Sequence, residues 1–283
     1  MTEPTPLQEP SSTTSATSAT VSVVLGIPVD GAGRIAVSVA VADHLERTES
    51  LSVLGPDGSP VAHHELGFDR GTRLHVIEAP VGEVTVTYDA TVSLAEREPE
   101  PVTEVEALLY ALPSRYCPSD RVEAYAATEF GDLVGDAARV LGIAQWAHRR
   151  LSYEPGSTTS SDDALAPLLT GRGVCRDYAH LVTTMCRALG MPARYVSVYA
   201  PGLSPMDAHA VVEVAVDGVW RLVDATRLAP RTSMVRIGTG RDAADVAITT
   251  GLGGSSGAPR FEVTATAAPG LPVDDPAELV SLL

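Results

Sequence analysis

From Val21 to about Leu94 the chain alternates apolar and polar positions with a period of two. Ile35, Val37, Val39 and Val41 alternate with small residues. Val84, Val86, Tyr88, Ala90 and Val92 alternate with Glu83, Thr85, Thr87, Asp89 and Thr91. Turn signals, Pro56-Asp57-Gly58 and Asp69-Arg70-Gly71, separate the runs. Successive strand side chains point to opposite faces, so this pattern suits an antiparallel sheet with one solvated face. It predicts a small β-sandwich domain over 21–95. Residues 1–20 are low-complexity Ser, Thr, Ala and Pro and predict a disordered tail. Residues 96–101 are charged and Pro-bearing and predict a linker.

Beyond the linker the period changes to that of helices. Segments 103–111, 119–127 and 132–150 read as helical, the third with Leu133, Ala137, Val140, Leu141, Ala144 and Ala147 on one face. A polar stretch at 154–163 precedes another helix and at least three strands. A Gly-rich loop at 251–257 and a strand around 261–266 follow. A short helix is expected after Asp275-Pro276, with Pro in its first turn. The whole predicts an α+β protein, the sandwich being followed by a second domain over 102–283, with no internal repeat.

The candidate chemistry lies in 171–228. Gly171-Arg172-Gly173-Val174-Cys175 opens a helix whose apolar positions are Tyr178, Leu181, Val182, Met185, Cys186 and Leu189, with Gly190 at its C-terminal cap. Cys175 is therefore in the first turn, where unpaired N–H groups and the helix dipole favour a thiolate. Arg172 and Arg176 act in the same sense. A buried cap residue is the plainer reading of a single cysteine. Downstream, Asp207 to Val216 reads as a strand, Asp217-Gly218 as a two-residue hairpin turn and Val219 to Thr226 as the returning strand. Pairing Val216 with Val219 sets His209 opposite Thr226 and Asp224 opposite Val211. His209 and Asp224 are then diagonal neighbours on one face, about 7–8 Å apart along the backbone. Taken singly, His209 is a strand-end polar residue and Asp224 a turn carboxylate. Their shared face, with a helix-start thiol upstream, points to nucleophilic catalysis.

The pattern RGVCRDYAHLVTTMCRALGMPARYV … DAHAVVEVAVDGVWRLVDATRLAP resembles the bacterial transglutaminase-like superfamily of papain-related cysteine enzymes. The likeness spans roughly 102–250 and is strongest over 171–231. It implies a nucleophile helix packed on an antiparallel sheet, with Cys175 as nucleophile, His209 as general base and acid, and Asp224 as the orienting carboxylate. It also implies a peptide or protein substrate and acyl transfer or amide hydrolysis through a thioester. The sandwich resembles the β domain that often precedes this core. Val211 departs from the pattern, since many members carry Trp in a His-Ala-Trp motif.

Composition narrows the function classes. The 283 residues carry 36 acidic against 20 basic side chains, net −16. Nucleic acid and anionic membranes are thereby disfavoured as partners, because both need clustered cations. There is no Lys and no Asn, so every basic residue is Arg. A Schiff-base or phosphate-cradling lysine is excluded, as is a papain-type triad completed by Asn. Three scattered cysteines form no disulfide framework and no CxxC, which fits a reducing compartment; a cytoplasmic location is expected. The first residues lack the basic and apolar regions of a signal peptide, and no apolar run is long enough to span a membrane. No cofactor or metal site is expected. His63, His64 and His75 lack acidic or thiolate companions, and no calcium-loop pattern occurs. Cys186, mid-helix, and Cys117 read as structural thiols. Asp177 reads as a helix-start acid or site-orienting group, His180 as a partly buried histidine, and Tyr153 as a weak candidate oxyanion donor. The Gly253-to-Gly257 match to G-x-S-x-G lacks a following helix and is rejected. Segment 239–246 could border the cleft or form a solvated loop. The competing function class is a catalytically idle interaction module that keeps the same fold.

Overall fold

The computed structural model describes residues 16–95 and 98–282. The N-terminal half folds into β1 (Ser18–Gly31), β2 (Gly33–Val37), β3 (Arg47–Leu54), β4 (His63–Gly67), β5 (Arg73–Ala79) and β6 (Gly82–Ser93). β1 buries Val21, Val23, Leu25 and Ile27 and pairs them with Ala90, Tyr88, Val86 and Val84 of β6. Period-two burial on both partners thus fixes the register, since a one-residue slip would expose every one of these side chains. β3 extends this sheet through β6, while β4, β5 and β2 form a second sheet. The two share one apolar core.

The second half contributes α1 (Glu104–Leu109), α2 (Glu123–Phe130), α3 (Asp136–Arg150), β7 (Ser152–Tyr153), α4 (Leu165–Thr170), β8 (Arg172–Gly173) and α5 (Cys175–Ala188). β9 (Ala193–Tyr199), β10 (Ala208–Val216), β11 (Val219–Val223) and β12 (Val235–Gly240) build a four-stranded antiparallel sheet in the order β11-β10-β9-β12. α5 packs on β10 and β9, with α3 behind it. Leu181, Val182 and Met185 of α5 meet Ala210, Val212 and Val214 of β10 in a second core. α5 ends in a Schellman motif: Met191 N–H reaches Cys186 C=O at 3.0 Å and Gly190 N–H reaches Arg187 C=O at 2.9 Å, with Gly190 at φ 75°.

Four expectations change. The chain returns to the sandwich as β13 (Thr249–Gly251), β14 (Ser255–Ser256) and β15 (Arg260–Ala268), which pair with β2, β1 and β1. The stretch 102–283 is therefore not self-contained, because β15 completes the sheet begun by β1. β1 starts at Ser18, inside the expected tail, because Ala19 and Val21 bury against Val92 and Ala90; residues 1–15 lie outside the described residues. The alternation at Val39 and Val41 is not a strand: β2 stops at Val37, and 38–42 is buried on both sides, Ala42 N–H bonding Arg236 C=O at 2.9 Å. The expected C-terminal helix is a turn, after which Leu222 N–H bonds Val280 C=O at 2.7 Å and draws the chain onto the hairpin.

The expected linker is partly docked. Glu96 and Arg97 lie outside the described residues, but Glu100 C=O accepts from Trp220 N–H at 2.9 Å and Pro101 bridges Val219. The Glu100 carboxylate accepts from Arg194 at 2.5 Å. Arg194 also contacts Glu106 of α1 at 3.1 Å and Glu213 of β10 at 2.7 Å, and Arg236 of β12 completes the cluster on Glu213 at 2.8 Å. These charges, buried except for the half-buried Glu100, tie the segment, the helix and the sheet together. No helix among the described residues is long and apolar enough to cross a membrane.

Candidate active site

β10 and β11 pair as the turn chemistry requires. Asp217 and Gly218 sit at φ 51° and 79°, the positive values a type I′ hairpin needs at both central positions. Val216 pairs with Val219 and Val212 with Val223, the register expected from the sequence. Asp224 lies just past the ladder. Its Oδ2 is 2.9 Å from His209 Nε2, and both residues are buried. Its Oδ1 accepts from Thr226 N–H at 2.8 Å and Thr226 Oγ1 at 2.7 Å. The carboxylate is thus aimed at the imidazole by a residue two positions on, a local side-chain-to-backbone motif typical of Asp and Thr. Thr226, whose Oγ1 lies 3.4 Å from His209 Nε2, went unassigned in the sequence, although the Asp-x-Thr spacing signalled it.

Cys175 is the first residue of α5 and is partly exposed, while Cys117 and Cys186 are fully buried. Its position is built by the residues before it. Asp177 Oδ2 accepts from Val174 N–H at 2.8 Å and from Thr158 Oγ1 at 2.6 Å, closing the helix start. A side chain at Gly173 would strike the Asp177 Cβ at 2.7 Å, so glycine is required there. Arg176 reaches Thr158 Oγ1 at 3.0 Å and Thr159 C=O at 2.9 Å, pinning the polar loop over the helix start. Asp177 is therefore a cap that shapes the helix N-terminus.

The Cys175 thiol adjoins the His209 imidazole. His209 Nδ1 has no hydrogen-bond partner among the described residues, whereas Nε2 is taken by Asp224. One nitrogen is thus held by the carboxylate and the other is unengaged among the described residues. Burial alone would lower the His209 pKa, but the Asp224 charge and hydrogen bond, reinforced by Cys175, raise it to about 10. Burial likewise disfavours the Asp224 anion, yet the facing imidazolium and Thr226 hold its pKa below the usual carboxylate value. Each partner favours the charged form of the other, so the carboxylate stabilises an imidazolium whenever the ring takes a proton.

Other candidates have structural surroundings. His180 is fully buried, not partly so: α5 turns it inward, between the rings of Tyr116 and Tyr195 at 5.1 Å each. Its Nε2 accepts from Ala243 N–H at 3.2 Å, and burial, then Arg176 and Arg187, push its pKa down to about 3. Segment 239–246 packs here: Asp242 is buried and accepts from Tyr116 N–H at 2.8 Å. The thiols of Cys117 and Cys186 are each pushed up to about 12 by burial. Buried His75 lies 3.2 Å from Glu65, with its pKa lowered by burial. A cavity of about 1210 Å³ lies between the sandwich and the C-terminal segment, lined in part by Arg70, Glu100, Arg221 and Val280. None of Cys175, His209 or Asp224 lines it.

The model of the Transglutaminase-like superfamily matches residues 125–225, the stretch that holds all three of these side chains. A solved structure of a candidate cysteine protease from Cytophaga hutchinsonii superposes with a TM-score of 0.81 at 30% identity, covering 94% of this chain and 96% of that one. The chain belongs to the transglutaminase-like superfamily. The uncharacterized protein ML0607 of Mycobacterium leprae is 30% identical over 209 residues, 66% of this chain and 74% of that protein. The uncharacterized protein Rv2569c of Mycobacterium tuberculosis is 30% identical over 105 residues, and the match spans 33% of its length. The Cytophaga likeness extends across the sandwich as well as the transglutaminase-like core, so the two parts recur together in that structure.

Proposed function

We propose that the protein is a thiol-dependent enzyme that transfers or hydrolyses acyl groups of peptide or protein amides through Cys175, His209 and Asp224. The observation that carries this reading is the division of labour on one buried imidazole. Asp224 takes Nε2 at 2.9 Å, Nδ1 has no partner among the described residues, and the ring adjoins the helix-start thiol.

The chemistry follows from those contacts. His209 Nδ1 accepts the thiol proton and Asp224 stabilises the imidazolium. The Cys175 sulfur forms a bond to the carbonyl carbon while the C=O π pair moves onto oxygen. The N–H of Cys175, one of the first-turn groups without an intrahelical acceptor, donates to that oxygen. The tetrahedral intermediate collapses, the C–N bond breaks, and the departing amine takes the proton from His209. Water or an amine then attacks the thioester, gives its proton to His209, and releases the thiolate. The three unpaired thiols fit a reducing compartment, and the reading includes a cytoplasmic location.

A fluorescent peptide-amide library, with and without hydroxylamine as acyl acceptor, tests the proposal. Turnover should vanish in Cys175→Ala with its Tm within about 2 °C of wild type, since the thiol at the helix start contributes little packing. Wild-type turnover by Cys175→Ala would overturn Cys175 as the nucleophile, and a wild-type thiol that never forms an acyl adduct would favour an interaction module in place of an enzyme.

A further inference from the structure

An acyl-transfer site needs two donors converging on the carbonyl oxygen, and the helix start supplies one, the Cys175 N–H. The short parallel ladder of β7 and β8 pairs Tyr153 with Gly173, two residues before Cys175, and Glu154 N–H bonds Gly173 C=O at 3.0 Å. This pairing fixes where the Tyr153 side chain starts. Its ring lies against that of Tyr178, one turn into α5, with centroids 6.2 Å apart. The ladder and the ring contact thereby carry the hydroxyl close to Cys175, within interaction range of its backbone N–H and its thiol. The side chain is 44% exposed at the rim, so it can yield to an incoming group.

We propose that the Tyr153 hydroxyl is the second oxyanion donor of this site, a catalytic residue whose phenol hydrogen-bonds the carbonyl oxygen as it gains charge. The inference rests on the catalytic reading of Cys175. In the resting enzyme the phenol leans on the N–H that the carbonyl oxygen will use. As substrate enters, the ring swings outward and its O–H turns from the thiol to that oxygen. No proton is transferred: the phenol donates a hydrogen bond while the C–S bond forms and the π pair moves to oxygen, and withdraws when C=O re-forms. Burial and the neighbouring Cys175 push its pKa up to about 12, so it remains a donor at neutral pH.

Two reactions of one thiol separate this role from support of the thiolate. Acylation by p-nitrophenyl acetate passes through an oxyanion, whereas alkylation by iodoacetamide does not. Tyr153→Phe in the full chain should slow single-turnover release of p-nitrophenolate by about a hundredfold. The rate of iodoacetamide alkylation at Cys175 should stay within about twofold, which also shows that the site is folded. An acylation rate within about threefold of wild type would overturn the proposal. A parallel fall in both rates would overturn it in favour of a thiolate-supporting role, and a rise in both would identify Tyr153 as a resting plug. Wild-type protein alkylated at Cys175 but never acylated would show that no oxyanion hole forms there. Wild-type protein with no alkylation at Cys175 would instead overturn the catalytic reading, and the inference with it.

Discussion

Asp224→Asn changes one oxygen of a buried side chain to NH₂ and leaves its shape intact. In the wild type, Oδ1 accepts two hydrogen bonds from Thr226, and Oδ2 faces His209 Nε2 at 2.9 Å. Thr226 would keep the Asn carbonyl oxygen on its side, because a flipped amide would set NH₂ against the Thr226 N–H. The new NH₂ then faces Nε2 and requires Nε2 to accept. The ring proton is driven to Nδ1, the nitrogen that must take the thiol proton, so the base is in the wrong tautomer. Burial, no longer opposed by a carboxylate, lowers the His209 pKa from its value of about 10. Replacing the orienting carboxylate of a triad with its amide leaves the shape but costs up to about 10⁴ in rate, so a loss of about 10²–10⁴ is expected. Glu213 offers no rescue, since both of its oxygens are held by Arg194 and Arg236 at 2.7–2.8 Å. The assay is the rate of Cys175 alkylation and of peptide-amide turnover across pH 5–9, with circular dichroism to verify the fold. Rates within about fivefold of wild type, in a folded protein, would refute the reasoning.

Cys186→Ala should keep activity and lose about 1–2 kcal/mol of stability in urea unfolding, because it opens a small cavity under α5. Glu213→Gln should lower Tm by about 10 °C, because it removes the carboxylate that the buried Arg236 pairs with and one of three that Arg194 pairs with. Burial opposes the Glu213 anion, yet Arg236 and Arg194 hold its pKa at about 2 against an unfolded value of 4.5. Its stabilisation is therefore present above pH 4.5 and lost as pH falls toward 2, so the variant's Tm-versus-pH curve should be flatter in that window. With no Lys, and only Gln8 and Gln145 as glutamines, the protein incubated alone should form no isopeptide dimers between side chains. Mass spectrometry of a reducing gel reads this, and Gln8 joined to an α-amine is the one such linkage allowed.

Features set by neighbours in sequence were legible, and features set by distant neighbours were not. The β10–β11 register depends on Asp217 and Gly218 and on which face is buried, so it could be read to the residue, and with it the proximity of His209 and Asp224. The α5 start and end follow from Gly173, Cys175 and Gly190 in the same way. The approach of the Cys175 thiol to the His209 ring depends on how α5 lies across β10, which local patterning does not specify. The return of β15 to β1 closes a loop of more than two hundred residues, and an alternating strand does not name its partner. The apolar run through Val39 and Val41 resembles a strand because it is buried, but it is buried by β12 and Ile248 and does not join a regular ladder. Arg194, Glu100, Glu106, Glu213 and Arg236 come from five separate segments, so their cluster is visible only once the sheet is assembled.

The central claim is that Cys175 is the nucleophile, and the most direct measurement is the site of alkylation in the native protein. A brief exposure to substoichiometric iodoacetamide at pH 7, followed by peptide mapping, should find the adduct on Cys175. Cys117 and Cys186, whose buried thiols are pushed up to about 12, should be modified only after unfolding. Native protein modified first at Cys117 or Cys186, with Cys175 left free, would contradict the account.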